Sequence, residues 1–197
     1  MNVATIKSGF SVLAAALAGS LMLASAALAG ANYAREQKWH DEIVPGIVVG
    51  EPVYLEQKNG HRFLGIYTDT ADARMGIVVA HGTGVHPDAG VVGALRQRLA
   101  DRGYATLAIQ MPILAVDAKP EAYAKLFPEA VERLQRAVSY VQGKGHSRVA
   151  VVSHSMGARM SHAYLRGNPP AVYAWAALGM PAPLGKPQGA ITYEGIK

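Results

Sequence analysis

The fold of this chain is decided by residues 148–159, RVAVVSHSMGAR. A short apolar run rich in valine predicts a buried strand, and a helical pattern begins directly after a tight turn that has Ser155 at its apex. Such a turn needs small residues two positions before and after the serine, because the backbone bends sharply and the helix then passes close to the strand. Ser153 and Gly157 are those small residues. The stretch therefore predicts a nucleophile elbow, and the competing interpretation is an ordinary turn, because serine and glycine are common residues.

The predicted turn would give Ser155 a chemical role. It would lift the serine hydroxyl above the sheet, at the positive end of the following helix. The backbone N–H of Met156 would then face an oxyanion formed at a carbonyl carbon that Ser155 attacks. We therefore predict that Ser155 is a catalytic nucleophile.

Residues 1–29 predict an export signal. Lys7 is the only charged residue before Arg35, and an apolar run rich in alanine and leucine covers residues 10–28. The run ends in an A-x-A pattern directly before Gly30, which is typical of a signal-peptide cleavage site. We expect a cleaved signal peptide and a periplasmic or secreted protein. The alternative is an uncleaved membrane anchor, because the run is nearly long enough to span a bilayer.

Composition limits the function further. None of the 197 residues is cysteine, which excludes disulfides, a cysteine nucleophile and thiolate metal sites. The formal charge of +5 is modest and scattered, without a basic stripe that carries interleaved aromatic residues, so we expect no nucleic-acid partner. We expect contact with a membrane only through the export signal, and the composition leaves the oligomeric state open.

The rest of the chain alternates between strand and helix patterns. Residues 30–49 form a polar lead-in with one helical turn, and residues 50–197 form a single domain. Asn59-Gly60 lies between two strand-like runs and predicts an antiparallel hairpin. The predicted elements that follow are strands at 75–80, 104–109, 148–152 and 172–178, and helices at 91–102, 121–142 (broken or kinked at Pro128) and 156–166, before a loop at 179–197. This order predicts an α/β fold: a doubly wound, mostly parallel sheet with an antiparallel N-terminal hairpin, in three α/β/α layers.

These patterns resemble the alpha/beta-hydrolase superfamily over roughly residues 50–180. The resemblance rests on the hairpin, on the elbow, and on His81-Gly82 at the end of a strand, which is similar to the family's His-Gly oxyanion loop. Residues 80–112 also resemble a group of exported bacterial hydrolase-like proteins. The resemblance implies that the N–H groups of Met156 and of Thr83 or Gly82 hold the oxyanion, and that His81 orders the loop.

The resemblance also implies a Ser–acid–His triad, whose acid and histidine come later in the chain than the serine. No histidine follows His162, and the chain ends about where the family's acid-bearing strand begins. The acid and the histidine therefore match no residue here. We expect a C-terminally incomplete domain with the first six strands of the family's sheet and little activity by itself, because a serine hydroxyl is a poor nucleophile without a base.

Two histidines are weak candidates for the missing base. His154 adjoins Ser155, but adjacent side chains on such a turn point apart. His162 lies about two helical turns beyond the serine, which favours a surface or core position. We therefore assign the base to neither residue.

Two other patterns in the loop after residue 80 are weak. His81, His86 and Asp88 are mixed loop residues, so their spacing is a poor indication of a metal site. Gly82-x-Gly84 lacks the third glycine and the later acidic residue of a dinucleotide-binding loop. We expect no metal and no cofactor.

The sequence supports two functions. The first is a serine hydrolase, similar to an esterase or lipase, that cleaves an ester, thioester or amide in a small-molecule or lipid-like substrate. The second is a non-catalytic binding or interaction protein on the same scaffold, because a fold alone does not establish a function.

Overall fold

The computed structural model describes residues 30–167 and 169–182. The predicted signal peptide, and the predicted C-terminal loop beyond residue 182, lie outside the described residues. In chain order the elements are α1 (Tyr33–Ile43), a 3₁₀ turn (Val44–Gly46), β1 (Glu51–Glu56), β2 (Arg62–Thr68), β3 (Gly76–Ala80), α2 (Gly90–Asp101), β4 (Ala105–Ile109), a 3₁₀ segment (Pro120–Leu126), α3 (Phe127–Gly143), β5 (Val149–His154), α4 (Met156–Leu165) and β6 (Val172–Leu178).

The strands of the described residues form one sheet in the order β1-β2-β4-β3-β5-β6. β1 and β2 are the antiparallel hairpin predicted from Asn59-Gly60, and Gly60 adopts a positive φ of 83° in the turn. β2 is also antiparallel to β4, whereas β4, β3, β5 and β6 run parallel to their neighbours. The structure confirms the mostly parallel sheet with an antiparallel N-terminal edge.

Helices cover both faces of this sheet. Every residue of β3 is buried, as its continuous apolar sequence predicts. Val78 and Ala80 belong to the core cluster that includes residues of α3 and α4, whereas Ile77 and Val79 belong to the cluster that includes Val92 of α2. Because alternate strand residues point to opposite faces, α2 covers one face, and α3 and α4 cover the other. The three-layer prediction is confirmed.

Pro128 separates two helical segments, as its position in the sequence predicts. The 3₁₀ segment ends at Leu126, and α3 begins at Phe127. Pro128 lies in the first turn of α3, where an N–H would have no partner within the helix, so the ring removes no helical hydrogen bond. No helix in the described part of the chain is long and apolar enough to cross a membrane.

The lead-in segment contains a longer helix than the single turn expected from its sequence. α1 has 11 residues, and the Asn32 side chain caps it by accepting a hydrogen bond from the Arg35 N–H. Its Glu36 is buried and pairs with the fully buried Arg133 of α3 at 2.9 Å. The expectation of one turn was wrong because a polar contact with a distant helix holds α1, and hydrophobic periodicity does not record such a contact.

Candidate active site

Three polar residues, His81, Gln110 and Ser155, lie at one edge of the sheet. In the parallel pairing, Ala80 is level with Ile109 on one side and with Ser153 on the other. The residues that directly follow β3 and β4, His81 and Gln110, therefore lie at the same edge as the turn after β5. In open α/β sheets, ligands bind outside this carboxyl edge of the strands.

Ser155 has an unusual backbone conformation at the turn between β5 and α4. Its φ is 54° and its ψ is −124°, and Asp72 is the other described non-glycine residue with a positive φ. A non-glycine residue whose backbone lies in such a sparsely populated region carries a strain energy of about 1–3 kcal/mol, and this conformation persists only when surrounding contacts impose it. One of these contacts is the hydrogen bond from the Ser155 N–H to the Leu178 carbonyl of β6, at 2.9 Å.

Gly157 lies where α4 passes closest to β3. A Cβ at this position would lie 2.3 Å from the His81 carbonyl oxygen and 2.8 Å from that of Ala80. Both are backbone atoms that cannot move aside, so only glycine fits. This is the close approach between helix and strand that the sequence pattern predicts.

Ser153 occupies the other small position of the turn. It is almost fully buried, and its Oγ accepts a hydrogen bond from Nε1 of Trp175 at 2.8 Å. A glycine here would leave the indole N–H without that partner. The hydroxyl therefore ties β5 to β6 just before the elbow.

The loop after β3 touches the serine. A Cβ at Gly82 would lie 2.9 Å from Ser155 Cβ and 3.2 Å from Ser155 Oγ. Thr83, the next residue, is exposed. Met156 begins α4, and the first N–H groups of a helix have no acceptor within the helix. The structure thus brings Gly82 and Met156, with Thr83 adjoining Gly82, to the serine that the sequence singles out.

His81 is fully buried below this loop. Its Nδ1 lies 2.8 Å from the Gly82 carbonyl oxygen, and its Nε2 accepts the Met111 N–H at 2.9 Å. Burial, the largest cause, lowers the pKa of His81 to about 3. The ring is therefore neutral at ordinary pH, and its contacts are those that a loop-ordering residue requires.

The other histidines of this region have different neighbours. A Cβ at Gly179 would lie 3.9 Å from Nε2 of His154, which places the His154 ring beside the end of β6. His162 stacks on Trp175 with 6.0 Å between ring centroids. Burial is the largest cause that lowers the pKa of His162, and the nearby positive charges of Arg159 and Arg166 lower it further.

The residues considered as a weak metal pattern do not gather at one point. His86 packs edge-on against Trp39, and its Nδ1 accepts the Asp88 N–H at 3.3 Å. The Asp88 carboxylate instead pairs with the buried Arg96, whose Nε lies 2.8 Å away. Across residues 30–167 and 169–182, no group of histidine and acidic side chains has a metal-binding arrangement.

Sequence reasoning missed Gln110. This residue is almost fully buried, and its Nε2 lies 3.0 Å from Nε2 of His81. The signal was present, because a polar residue that follows a buried parallel strand must emerge at the carboxyl edge of the sheet. Its contact with His81 depends on the pairing of β4 with β3, which no local pattern specifies.

A model of the alpha/beta hydrolase domain family matches residues 73–193. The chain belongs to this family. No curated protein matches the chain by sequence.

Several solved hydrolase structures have a similar fold. An esterase from Pyrococcus furiosus has 15% identity and a TM-score of 0.54, over 66% of this chain and 51% of that one. A dienelactone hydrolase-like promiscuous phosphotriesterase from metagenomic libraries has 19% identity and a TM-score of 0.54, over 66% and 58%. A dienelactone hydrolase from Anabaena variabilis has 17% identity and a TM-score of 0.54, over 66% and 64%. The chain thus spans between half and two thirds of the length of these structures.

Proposed function

We propose that this protein is a serine hydrolase in which Ser155 attacks the carbonyl carbon of an ester, thioester or amide. The observation that carries the proposal is the strained conformation of Ser155, with φ of 54°, at the apex between β5 and α4. Strain of this kind is retained where surrounding contacts impose it, and it is concentrated at functional sites.

The proposed reaction begins when a base takes the proton of the Ser155 hydroxyl and Oγ bonds to the carbonyl carbon. The electron pair of the C=O bond moves to its oxygen. The N–H groups of Met156 and of Thr83 or Gly82 hold this oxyanion, and each donor contributes about 3 kcal/mol. When the intermediate collapses, the bond to the leaving group breaks, and the leaving group takes up the proton. Water then releases the acyl group by the same steps.

The described residues support the nucleophile and the oxyanion side of this reaction, and the proposal assigns no base among them. His81 accepts the Met111 N–H, His86 accepts the Asp88 N–H, and His162 lies against Trp175. In the described part of the chain, no hydrogen bond joins any of these three rings to the Ser155 hydroxyl. We therefore propose that residues 1–197 alone react slowly.

The substrate class is proposed from the proteins that share this fold. The solved structures with this fold include proteins named as esterases and a dienelactone hydrolase, which supports a carbonyl ester of a small molecule. A lipid-like ester is equally compatible with an exported hydrolase.

A fluorophosphonate probe tests the proposal, because it reacts covalently with an activated serine. We expect the protein isolated from its natural host to be labelled at Ser155, and Ser155→Ala to remove the label. Ser161→Ala is the matched control, because Ser161 is a buried serine on the same helix and should leave labelling unchanged. Absence of label from the host protein would favour the non-catalytic binding function.

The slow reaction of the chain alone is tested with the same probe. Recombinant residues 1–197 should be labelled far more slowly than the host protein, if the host protein is longer. Rapid, Ser155-dependent labelling of the recombinant chain would show that one of its own histidines acts as the base.

We also propose that the protein is exported and that the signal peptide is removed after Ala29, on the basis of the A-x-A pattern before Gly30. Mass spectrometry of the periplasmic and secreted fractions should find Gly30 at the N-terminus. A membrane-bound form that retains Met1 would instead support an anchor.

A further inference from the structure

The proton on the His81 ring can be placed from its neighbours. Nε2 lies 2.9 Å from the Met111 N–H nitrogen, which can only donate, so Nε2 must accept. Nδ1 lies 2.8 Å from the Gly82 carbonyl oxygen, which can only accept, so Nδ1 must carry the proton. The surroundings therefore select one neutral tautomer, with the proton on Nδ1.

Gln110 supports this tautomer. Its side-chain nitrogen lies 3.0 Å from His81 Nε2 and donates to the Met111 carbonyl at 2.8 Å. An amide NH₂ has two protons, so one can point to each of these acceptors. Nε2 of His81 then faces two N–H donors, and a proton on Nε2 would be repelled by the protons of both.

The backbone of Gln110 is anchored on both sides. Its N–H donates to the Leu64 carbonyl of β2 at 2.8 Å. Its carbonyl accepts from the guanidinium of Arg133 at 3.0 Å. Arg133 is itself fully buried and paired with Glu36 and Glu129. The side chain of Gln110 is therefore presented to His81 from a rigid support.

The position of the His81 proton affects the orientation of the peptide that joins Gly82 to Thr83. The Gly82 carbonyl and the Thr83 N–H belong to the same planar trans peptide, so they point in opposite directions. When Nδ1 of His81 holds the carbonyl toward the buried side, the Thr83 N–H must face away from His81. A Cβ at Gly82 would lie 3.2 Å from Ser155 Oγ, so this peptide adjoins the serine.

We propose that Gln110 is a positioning residue that, together with the Met111 N–H, keeps the His81 proton on Nδ1 and thereby directs the Thr83 N–H, rather than the Gly82 N–H, to the oxyanion. The inference rests on the proposed function, because it assigns a donor to the reaction at Ser155. Gln110 acts only through His81 and touches no reacting atom.

Histidine ¹⁵N spectra of the purified chain test the tautomer directly. We expect wild-type His81, assigned by the loss of its signals in His81→Gln, to show a protonated Nδ1 and an unprotonated Nε2. In Gln110→Glu a carboxylate faces Nε2, so we expect a proton on Nε2. Gln110→Met keeps the volume but lacks the amide, and it should keep the Nδ1 proton because Met111 still donates. A wild-type ring with its proton on Nε2 would overturn the proposal without any variant.

The rate of Ser155 labelling by the fluorophosphonate, measured in the host protein, tests the consequence. Gln110→Glu should slow labelling about 100-fold, as expected for the loss of one oxyanion donor, with a smaller effect for Gln110→Met. The matched control is Gln57→Glu. Gln57 is also buried and also contacts Arg133, at 3.1 Å, but its bond is to the guanidinium and not to His81. It should leave the tautomer and the labelling rate unchanged.

The outcomes separate the two proposals. If wild-type Ser155 is not labelled, the proposed hydrolase function fails, and the spectra alone decide whether Gln110 positions His81. If labelling occurs but Gln110→Glu reacts at the wild-type rate, or if the tautomer changes with no change in rate, the positioning role is wrong.

Discussion

Strand β5, which leads into Ser155, has two different neighbours in the sheet: β3 on one side and β6 on the other. On the β3 side, every residue of the strand is buried, and so are His81 and Gly82, which lie against the elbow. The flank formed by β6 is largely exposed in the described structure, with Tyr173 at 64% exposure. Both flanks nevertheless hold the same turn, because β6 accepts the Ser155 N–H through the Leu178 carbonyl.

The contrast separates the two halves of the proposed chemistry. Stabilisation of an oxyanion needs backbone donors held in place before the reaction, and the β3 flank brings the loop that begins at His81-Gly82 against the serine. Proton transfer needs a titratable group near the serine hydroxyl, and the described residues of the β6 flank supply none in that position. The elbow can therefore be fully formed while the serine still lacks a partner for its proton.

The largest expected effect is on the β3 flank. Gly157→Val would push a branched side chain into the His81 and Ala80 carbonyls, so we expect a loss of about 3 kcal/mol or more in the free energy of unfolding. The control is Gly143→Val at the end of α3, where an added Cβ meets no atom within 4 Å. Urea denaturation should separate the two variants clearly. Equal stability would mean that α4 does not approach β3 as described.

Acid should weaken the same flank. The pKa of His81 is about 3 in the folded protein and 6.5 when exposed, so the unfolded state takes up a proton below pH 6.5 and the folded state does not. The contribution is complete above pH 6.5, and by pH 5 the free energy of unfolding should fall by about 2 kcal/mol. His81→Gln should lack this part of the pH dependence. Parallel stability curves for the two proteins between pH 7 and pH 5 would contradict the buried neutral ring.

A smaller effect is expected at the elbow itself. Ser155→Gly should be more stable than Ser155→Ala by about 1 kcal/mol, because glycine adopts a positive φ without the steric cost of a Cβ. Both variants lack the hydroxyl, so the comparison isolates the backbone. A greater stability of the alanine variant would argue that the contacts of β3 and β6 impose no strain on this residue.

The smallest effect is expected on the β6 flank. Ser153→Ala removes the acceptor of the Trp175 indole, which should lower the free energy of unfolding by about 0.5–1 kcal/mol, since water can reach this half-buried ring. Trp175→Phe removes the donor instead and leaves the buried Ser153 hydroxyl without its partner. Thermal unfolding of both variants and of their combination measures the coupling. Fully additive losses would show that the bond contributes nothing.

The elbow, the hairpin and the strand order along the chain could be predicted from sequence because their determinants are local. Asn59-Gly60 specifies a turn through the φ values it tolerates, and the small residues around Ser155 specify a close approach. The continuous apolar run of β3 indicates burial on both faces, because a strand with one exposed face would alternate apolar and polar residues. Each signal lies within a few residues of the structure it predicts.

The unpredicted parts depend on distant polar contacts. Gln110 meets His81 across 29 positions of the chain, and the length of α1 depends on a carboxylate that meets Arg133. Buried arginine is rare unless it is paired, so the sequence around Arg133 suggests a surface residue of an amphipathic helix.

The bond between Glu36 and Arg133 constrains the order in which the chain folds. The two residues are separated by 97 positions, and the Ala31 N–H reaches Glu129 across 98. A helix of 11 residues is only marginally stable by itself in water, so α1 has little support until α3 exists. During synthesis the chain emerges from its N-terminus, and the partner of Glu36 comes out much later. We therefore expect α1 to become stable only after α3 has formed, although it is synthesised much earlier.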